Sequence, residues 1–193
     1  MVTGDNNRFL RYWFEVENYK IEMNAVPDIN FHSDLKWFPL QKGGDYRLWY
    51  GNLEYVVNWE NDGFLMKNDN SINGRVRSHN YNGIQIFKEG ITWNSITSGR
   101  FQCRYTPTGF IFDAAGPLCE VVNRKQLYYV LAMLSSKVAV YTFEILNPTI
   151  NFPSGYIEAL PFPMHITSVS EIEDLAKACV NMAKTDWDSF ETS

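Results

Sequence analysis

Three short runs of β-branched and aromatic residues lie close together in the middle of this chain, and they constrain its fold more than any other feature. The runs are IQIFK, RFQCRYT and GFIFDAA, and turn residues such as Gly90 and Gly109 separate them. Runs of this length and composition between turn signals predict strands. The upstream segment LEYVVNWEN alternates apolar and polar residues, which predicts another strand.

The last third of the chain changes to helical periodicity. Apolar residues from Leu127 to Val138 recur at three- and four-residue spacing, which predicts a helix over about residues 124–146. A proline-rich stretch at 147–165 predicts an extended exit, and Ser168 with Glu171 predicts the start of a terminal helix at about 168–185. We therefore expect an α+β fold in one compact unit. A β-rich recognition core with a mixed or antiparallel twisted sheet occupies residues 1–122, and long C-terminal helices occupy residues 123–193.

Three segments connect these parts. RFLRYWFEVENYKI has apolar residues at helical spacing, but its aromatic residues also suit a strand, so both types remain open. Residues 27–44 contain proline and glycine, and we expect a loop there. The run KNDNSINGRVRSHNYNG, residues 67–83, is rich in Asn and Gly and predicts an exposed loop or hairpin tip. We call it the polar loop.

Composition excludes several classes of protein. A length of 193 residues and 45% hydrophobic content suffice for one good core. The sequence has no run of about eighteen apolar residues, and its first residues, MVTGDNNRF, lack the apolar core of a secretion signal. We therefore expect a cytoplasmic protein without a membrane partner. Three widely spaced cysteines and three isolated histidines predict buried thiols and no metal site.

The charge of the chain is unevenly distributed. The net charge is -5, which by itself disfavours nucleic acid as a ligand. Residues 165–193 carry six acids and two lysines, a net charge of -4, whereas residues 71–104 carry five bases and one acid, a net charge of +4. The acidic end is typical of a solvated face. The basic stretch is either a solvated face or a nucleic-acid contact, because aromatic and amide residues are interleaved with its cations.

Motifs of catalysis are missing from the sequence. It contains no nucleophile elbow, no P-loop, no zinc-protease motif and no dinucleotide-binding glycine motif. The triplet Lys42-Gly43-Gly44 suits either a phosphate-binding turn, in which glycine amides approach the anion, or an ordinary turn. These observations favour binding over catalysis.

Four blocks of sequence occur in a specific order between Thr3 and Pro163: TGDNNRFLRYW, KGGDYRLWYGNLEYVVNWENDG, FKEGITWNSITSGRFQCRYTPTGFIFDAAG and SSKVAVYTFEILNPTINFPSGYIEALPFP. In this order they resemble the target recognition region of the PglX-type adenine-specific DNA methyltransferases of BREX bacteriophage-exclusion systems. More loosely, Ile157, Leu160 and Pro161 with Pro163 resemble the I-x-x-L-P-x-P exit of TaqI-like and type I restriction specificity domains.

The resemblance implies a sequence-specific DNA-binding domain that positions an adenine-N6 methyltransferase on its site in phage defence. It implies S-adenosylmethionine for the complete enzyme and no cofactor in this fragment, because neither the Asn-Pro-Pro-Tyr motif nor the glycine-bearing cofactor loop of the family occurs here. The implied partners are double-stranded DNA, an upstream methyltransferase domain, other BREX components or a DNA-mimicking phage inhibitor. We expect an excised or truncated piece of a larger methyltransferase, without catalysis of its own.

A module that recognises a base sequence needs paired hydrogen-bonding groups at base edges, and cations or small donors at phosphates. On this hypothesis the strands are a scaffold that holds an electropositive, amide-bearing rim against a DNA groove. The base-edge candidates are Arg75, Arg77, Asn80 and Asn82 in the polar loop. The phosphate or groove candidates are Lys88, Thr92, Ser95, Thr97, Ser98 and Arg100, with Trp93 against a sugar or as a brace, and Lys42 and Arg47 are further DNA-binding candidates.

Structural alternatives stand beside these candidates. Trp93 alternates with polar neighbours, which is typical of a core-facing strand residue. Arg75 and Arg77 suit a solvated tip equally well. Two other classes of function also remain open: a protein-interaction module of a phage-defence complex, and a carbohydrate-binding domain suggested by six tryptophans and eleven tyrosines. The residues of the first block either build the joint with the methyltransferase domain or contact DNA: Thr3, Gly4, Asn6 and Arg8.

Overall fold

All seven strands of the described residues lie in the first two thirds of the chain, with a few short helices between them, and helices dominate the rest. In the computed structural model, residues 1–70, 73–79, 81, 83–147, 149–163 and 169–190 are described. Within them the strands are β1 (Leu10–Tyr12), β2 (Trp37–Gln41), β3 (Tyr55–Asn58), β4 (Gly90–Trp93), β5 (Cys103–Thr106), β6 (Ile111–Phe112) and β7 (Leu118–Cys119). The helices are α1 (Asn6–Phe9), α2 (Glu60–Lys67), α3 (Leu127–Leu134), α4 (Lys137–Leu146), α5 (Ser154–Glu158) and α6 (Val169–Trp187).

The strands form two sheets. The first has the order β1-β3-β2-β6, and the second has the order β5-β4-β7. Val57 of β3 lies opposite Leu10 on one side and Phe38 on the other, in antiparallel pairs, whereas β6 joins β2 in parallel. In the second sheet β4 pairs antiparallel with both neighbours. Mixed and antiparallel sheets followed by C-terminal helices confirm the predicted α+β class.

Each sheet has its own apolar core. Ile91, Trp93 and Cys103 of the second sheet pack with Leu131 of α3, and α3 also packs on α6. The first sheet contributes Val57 and other apolar residues to a separate cluster that includes α2. Successive side chains of a strand point to opposite faces, so the helices cover only the apolar face of the second sheet.

The other face of the second sheet is polar and contacts the loop between β2 and β3, which contains Gly44 and Trp49. Nη2 of the buried Arg104 donates to Oδ1 of Asn94 at 2.9 Å, and Nδ2 of Asn94 donates to the carbonyl of Gly44 at 2.6 Å. The loop backbone pairs with β5, since Trp49 N–H donates to the Cys103 carbonyl at 3.0 Å and Tyr105 N–H donates to the Trp49 carbonyl at 2.8 Å. The loop is therefore an integral part of the fold.

The prediction of one helix over residues 124–146 is wrong. A short 3-10 turn leads into α3, the chain breaks at Ser135 and Ser136, and α4 leaves at an angle of 70°. The physical reason is a new N-cap, because Oγ of Ser136 accepts the backbone N–H of Ala139 at 3.1 Å. The terminal helix is present as α6, and its expected cap Ser168 lies outside the described residues.

Several local predictions also differ from the structure. The run IQIFK is not a strand, since its first residues lie in a 3-10 turn and Phe87 has a φ of 67°. The expected loop at 27–44 contains β2, and the expected extended exit contains α5. The segment RFLRYWFEVENYKI, which suited either a helix or a strand, contains both, because α1 ends at Phe9 and β1 begins at Leu10.

No single helix in the described part of the chain is long and apolar enough to cross a membrane. The bent pair Arg124–Leu134 and Lys137–Leu146 meets that criterion only when the two helices are taken together. Leu127, Leu131 and Leu134 of this pair are buried in the protein core.

Candidate nucleic-acid interface

The first sequence block and the polar loop pack against each other. Val2 N–H donates to the carbonyl of His79 at 2.8 Å, and His79 N–H donates back to Val2 at 3.1 Å. Gly4 has a φ of +78°, and a Cβ at this position would lie 2.7 Å from Cβ of Arg77. Only glycine fits here without a shift of the backbone. The fold thus brings together two candidate sets that are about seventy residues apart in sequence.

A buried carboxylate joins these segments. Oδ2 of Asp69 accepts Nε of Arg77 at 3.1 Å and Nη2 of the same residue at 2.6 Å, and Oδ1 accepts Nη1 of Arg8. Asp5 lies 3.5 Å from Nη2 of Arg77. The side chain of Asp69 is 6% exposed, against 38% for Arg77 and 53% for Arg8. We call these four residues the Asp69 cluster.

The remaining residues of the first block have different environments. Thr3 is buried, and its hydroxyl donates to Oδ1 of Asn6 at 2.5 Å. Asn6 itself is exposed at the start of α1. Asp5 caps this helix by accepting the N–H of Arg8 at 3.1 Å. Of this block, Asn6 and Arg8 are therefore accessible to a ligand, whereas Thr3 supports the fold.

The glycine turn at 42–44 packs against the chain itself. A Cβ on Gly43 would lie 2.6 Å from the carbonyl oxygen of Ala115. The N–H of Gly44 points to Oδ1 of Asn94 at 3.4 Å, and its carbonyl accepts from the same side chain. Because Gly43 has no side chain, the loop that contains Ala115 approaches this turn closely. The chain itself fills this space, which corrects the interpretation of residues 42–44 as a phosphate-binding turn.

Ion pairs within the chain hold most of the candidate cations. Five of the seven, namely Arg8, Arg77, Lys42, Arg47 and Lys88, have a carboxylate partner. Carboxylates of the chain itself thus pair with most of the cations of the expected electropositive, amide-bearing rim, which corrects that expectation for these five residues. The three pairs outside the Asp69 cluster are Lys42 with Asp113 at 3.7 Å, Arg47 with Asp186 at 3.2 Å, and Lys88 with Glu120 at 2.8 Å.

Two candidates of the middle block are buried in the second sheet. Thr92 is 0% exposed, and Trp93 is 1% exposed. Nε1 of Trp93 donates to the carbonyl of Phe152 at 2.7 Å, so the indole braces the core. Neither side chain reaches the surface, which corrects their assignment as DNA contacts and agrees with the alternative of a core-facing Trp93.

The residues after β4 run along the segment that precedes α5. Phe152 N–H donates to the Ser95 carbonyl at 2.8 Å, and Thr97 N–H donates to the Ile150 carbonyl at 2.9 Å. The hydroxyl of Thr97 accepts the N–H of Gly99 at 3.2 Å, which closes a turn. Ser98 lies at the exposed tip of this turn. The backbone of the stretch is therefore held in place, while its tip faces solvent.

Arg75 and Arg100 are exposed, and neither forms an ion pair with any residue that the structure describes. Arg75 lies in the polar loop, and Arg100 follows the turn after β4. Asn80 and Asn82 lie outside the described residues. Of the predicted DNA-binding cations, Arg75 and Arg100 have the geometry of free donors for phosphate or base edges.

An exposed aromatic stack was missed from the sequence. Tyr12 stacks on Phe14 at 5.2 Å and on Tyr55 at 4.9 Å between ring centroids. The two tyrosines line a surface depression of about 430 Å³ together with Asn6 and Arg11. The hydrogen bond to the hydroxyl of Tyr12 raises the pKa of Tyr55 to about 12. The adjacent aromatic residues in RYWFE could have indicated this exposed stack, but they also suited a strand.

The structure defines an α+β segment built of two small sheets, with an exposed arginine-bearing loop and an aromatic surface depression. Over its whole length the chain is homologous to adenine-specific methyltransferases. It is 40% identical over 194 aligned positions to the adenine-specific methyltransferase PglX of Lacticaseibacillus casei (strain Zhang), and 36% identical over 194 positions to the adenine-specific methyltransferase BrxX of Escherichia coli O9:H4 (strain HS). The chain spans 16% and 15% of the lengths of these relatives. No family model matches the chain.

Two close-packed glycine positions of the described residues do not fit a site for S-adenosylmethionine. A Cβ added at Gly43 or Gly116 would lie within 3.0 Å of backbone atoms of the chain, so these two glycines form no open cradle for a cofactor. In the same residues, no group of three or more His, Cys, Asp or Glu side chains could hold a metal ion.

Proposed function

We propose that this chain is the target recognition region of an adenine-specific DNA methyltransferase. In this function it binds double-stranded DNA and positions the catalytic domain on an adenine within a specific sequence, in BREX phage defence. One observation carries the proposal: the whole chain aligns with two adenine-specific methyltransferases but covers only 16% and 15% of their lengths. The resemblance of its ordered blocks to the recognition region of PglX-type enzymes supports recognition as the role of this part.

The contrast between Arg75 and Arg77 supports the polar loop as the DNA-reading element. Asp69 anchors Arg77, whereas Arg75, two residues earlier, forms no ion pair with any residue that the structure describes. A free guanidinium presents the fork that pairs with O6 and N7 of guanine. Arg75 is therefore our base-edge candidate.

Phosphate contacts of this chain are few. The net charge is -5, and five of the seven candidate cations are already paired. Arg100, with Ser98 beside it, is the accessible phosphate candidate of the middle block. We therefore assign most of the phosphate contacts to the rest of the enzyme. We expect the chain by itself to bind DNA with a Kd of about 10⁻⁴ M or weaker.

Catalysis is assigned to the part of the enzyme outside this chain. There S-adenosylmethionine supplies the methyl group for adenine N6. We assign to this chain the orientation of the DNA relative to the catalytic domain.

A protein-interaction surface is a second candidate function, and one observation favours it. Val138, Tyr141 and Ile145 lie on the outer face of α4 at helical spacing and are 63% to 81% exposed. Large exposed apolar faces of this kind mark contacts with other proteins. The two functions are compatible if this face docks the methyltransferase domain or another BREX component while the polar loop faces DNA.

Exchange of the segment between enzymes tests the proposal. This chain replaces the homologous segment in both the L. casei PglX and the E. coli BrxX enzymes, and single-molecule sequencing maps adenine methylation in each host. Because the segment sets specificity, both chimeras are expected to methylate one common sequence. If each chimera still methylates the DNA sequence that its own host enzyme methylates, the segment is not the recognition region.

A further inference from the structure

A cavity of about 470 Å³ opens beside the polar loop. Its lining comes from residues 27–31, from Trp59 and α2, and from Tyr81, Gly83, Ile86 and Phe87. Lys67, Tyr81 and Gly83 of its lining belong to the two ends of the polar loop, and none of the lining residues is one of the candidate DNA contacts named above. Its walls are aromatic, formed by Phe31, Trp59, Tyr81 and Phe87, and its polar groups are Asp28, Asp62 and Lys67.

A cation of the chain itself faces the aromatic walls. Nζ of Lys67 lies 4.9 Å from the ring centroid of Trp59 and 5.4 Å from that of Tyr81. Oδ2 of Asp62 lies 2.5 Å from the same ammonium. Lys67 thus already occupies the position over these two rings that a ligand cation would take. A neutral flat ring with hydrogen-bond acceptors suits the cavity better, because Lys67 can donate to it.

Strained backbone borders this cavity. Asn61 and Asp62 have φ angles of 50° and 56°, and with Gly63 they form a left-handed turn. Phe87 has a φ of 67°, although a bulky side chain disfavours this region. Of the five non-glycine residues with positive φ in the described part of the chain, three therefore lie at or next to the cavity. Such conformations concentrate at ligand sites, where the surrounding structure maintains them.

We propose that this cavity binds a single unpaired nucleobase that carries an exocyclic amino group. The partly buried rings of Phe31 and Tyr81 stack on the flat ring, as in single-strand binding sites, whereas Trp59 and Phe87 belong to the core beneath the cavity surface. The carboxylates of Asp28 and Asp62 accept hydrogen bonds from the amino group of adenine, cytosine or guanine, and Lys67 donates to a ring nitrogen or carbonyl oxygen. Thymine has no amino group, so the cavity discriminates against it.

The position of the cavity connects it to the polar loop. The hydroxyl of Tyr81 lies 2.7 Å from Oγ of Ser78 and donates to the Ser78 carbonyl at 3.0 Å. Ser78 follows Arg77 of the Asp69 cluster directly. A base that leaves the duplex where the polar loop contacts DNA therefore enters this cavity, a step that rests on the proposed function. A free nucleoside is the other source of the same ligand chemistry.

Fluorine NMR of the chain labelled with 5-fluorotryptophan tests the proposal, because Trp59 lines the cavity. Deoxycytidine and deoxyadenosine are expected to shift the Trp59 resonance in a saturable manner, with thymidine binding at least about tenfold more weakly. Equal binding of all three nucleosides, or no shift with any of them, would overturn the proposal. A shift with spermidine alone would also overturn it, in favour of a cation site.

Two variants locate the effect in the cavity. Asp62→Asn keeps a residue that tolerates the left-handed turn but removes the charge, and it is expected to weaken deoxycytidine binding about tenfold. Lys67→Met keeps the apolar stem and is expected to weaken binding by a similar factor. Lys20→Met is the matched control, since Lys20 also lies over a tyrosine ring, at 5.3 Å, and pairs with Glu17, but lines no part of this cavity. A loss of binding in the Lys20 variant as large as in the Lys67 variant would overturn the assignment.

Oligonucleotides distinguish the two sources of the base. If the ligand is an extrahelical base of DNA, a duplex with one bulged cytosine is expected to bind at least about tenfold more tightly than the fully paired duplex. The Asp62→Asn variant is expected to lose this difference. Nucleoside binding without a preference for the bulge supports the site but assigns it to free nucleosides. If neither the nucleosides nor the bulged duplex bind, the nucleobase site is overturned but the proposed function is not. The proposed function is tested separately by the segment exchange, whose readout is the methylated sequence.

Discussion

Arg77 donates two hydrogen bonds to a single oxygen of Asp69, from Nε at 3.1 Å and from Nη2 at 2.6 Å. The other oxygen of this buried carboxylate accepts from Arg8, so the polar loop and α1 share one anion. Charge-assisted contacts of this kind are stronger than neutral ones and fix geometry. Asp69 and Arg77 therefore tie the polar loop to α1, although the composition of the loop is that of an exposed tip.

Asp69→Ala is expected to lower the free energy of unfolding by about 2 kcal/mol, because it removes charge-assisted hydrogen bonds to two arginines. Both arginines remain accessible to water, which limits the loss. Urea denaturation of the chain measures the change. Asp34→Ala is the control, since its side chain is 99% exposed, and its effect is expected to stay within about 0.5 kcal/mol. Equal effects of the two variants would contradict the anchoring role of Asp69.

Gly43→Ala is expected to lower the free energy of unfolding by about 1–3 kcal/mol, because the new Cβ would lie 2.6 Å from the carbonyl oxygen of Ala115. Gly155→Ala is the matched control. It lies in α5, where an added methyl group would meet no heavy atom within 4 Å, so alanine is expected to stabilise by about 0.5–1 kcal/mol. Thermal unfolding followed by circular dichroism compares them. A neutral Gly43→Ala would reopen the interpretation of this turn as a phosphate site.

Ser136→Ala is expected to destabilise the chain by about 1 kcal/mol, since Oγ of Ser136 caps α4 through the N–H of Ala139. Ser98→Ala is the control, because Ser98 is exposed outside any helix. Chemical denaturation measures both variants. If the two serines prove equivalent, the cap does not account for the break between α3 and α4.

The thiol of Cys103 is expected to resist alkylation in the native chain. Burial raises its pKa to about 12, so the reactive thiolate is suppressed at pH 8. The pKa in the folded chain exceeds that in the unfolded chain, so this contribution to stability is present below about pH 9 and is lost as the pH rises through about 12. Mass spectrometry after iodoacetamide treatment at pH 8 checks the reactivity. Modification is expected in urea, and equally fast modification of the native chain would contradict the burial.

The overall fold class could be predicted from local patterns because strand alternation and helix periodicity are local. The break between α3 and α4 could not, because apolar residues continue at helical spacing on both sides of Ser135 and Ser136. The left-handed turn at 61–63 also has no periodic signal, since it depends on the packing of Gly63 against Trp59.

The candidate site was predicted less completely than the fold because ion pairs form between residues far apart in sequence. Arg8 and Asp69 are 61 positions apart, and Arg47 and Asp186 are 139 positions apart. Arg47 thus meets the acidic end in space, although the two are separate in the sequence. Charge counts along the chain therefore overestimated the number of free cations.

The most direct measurement is the methylation specificity of the chimeric PglX enzyme that carries this chain, with Arg75→Ala compared with the unchanged segment. We expect Arg75→Ala to relax the preference at one base of the methylated sequence, at a cost of about 1–3 kcal/mol, without a change in stability. Arg100→Ala is expected to weaken methylation of all sequences alike, as a phosphate contact does. Unaltered specificity and unaltered efficiency in both variants would contradict DNA recognition by this chain.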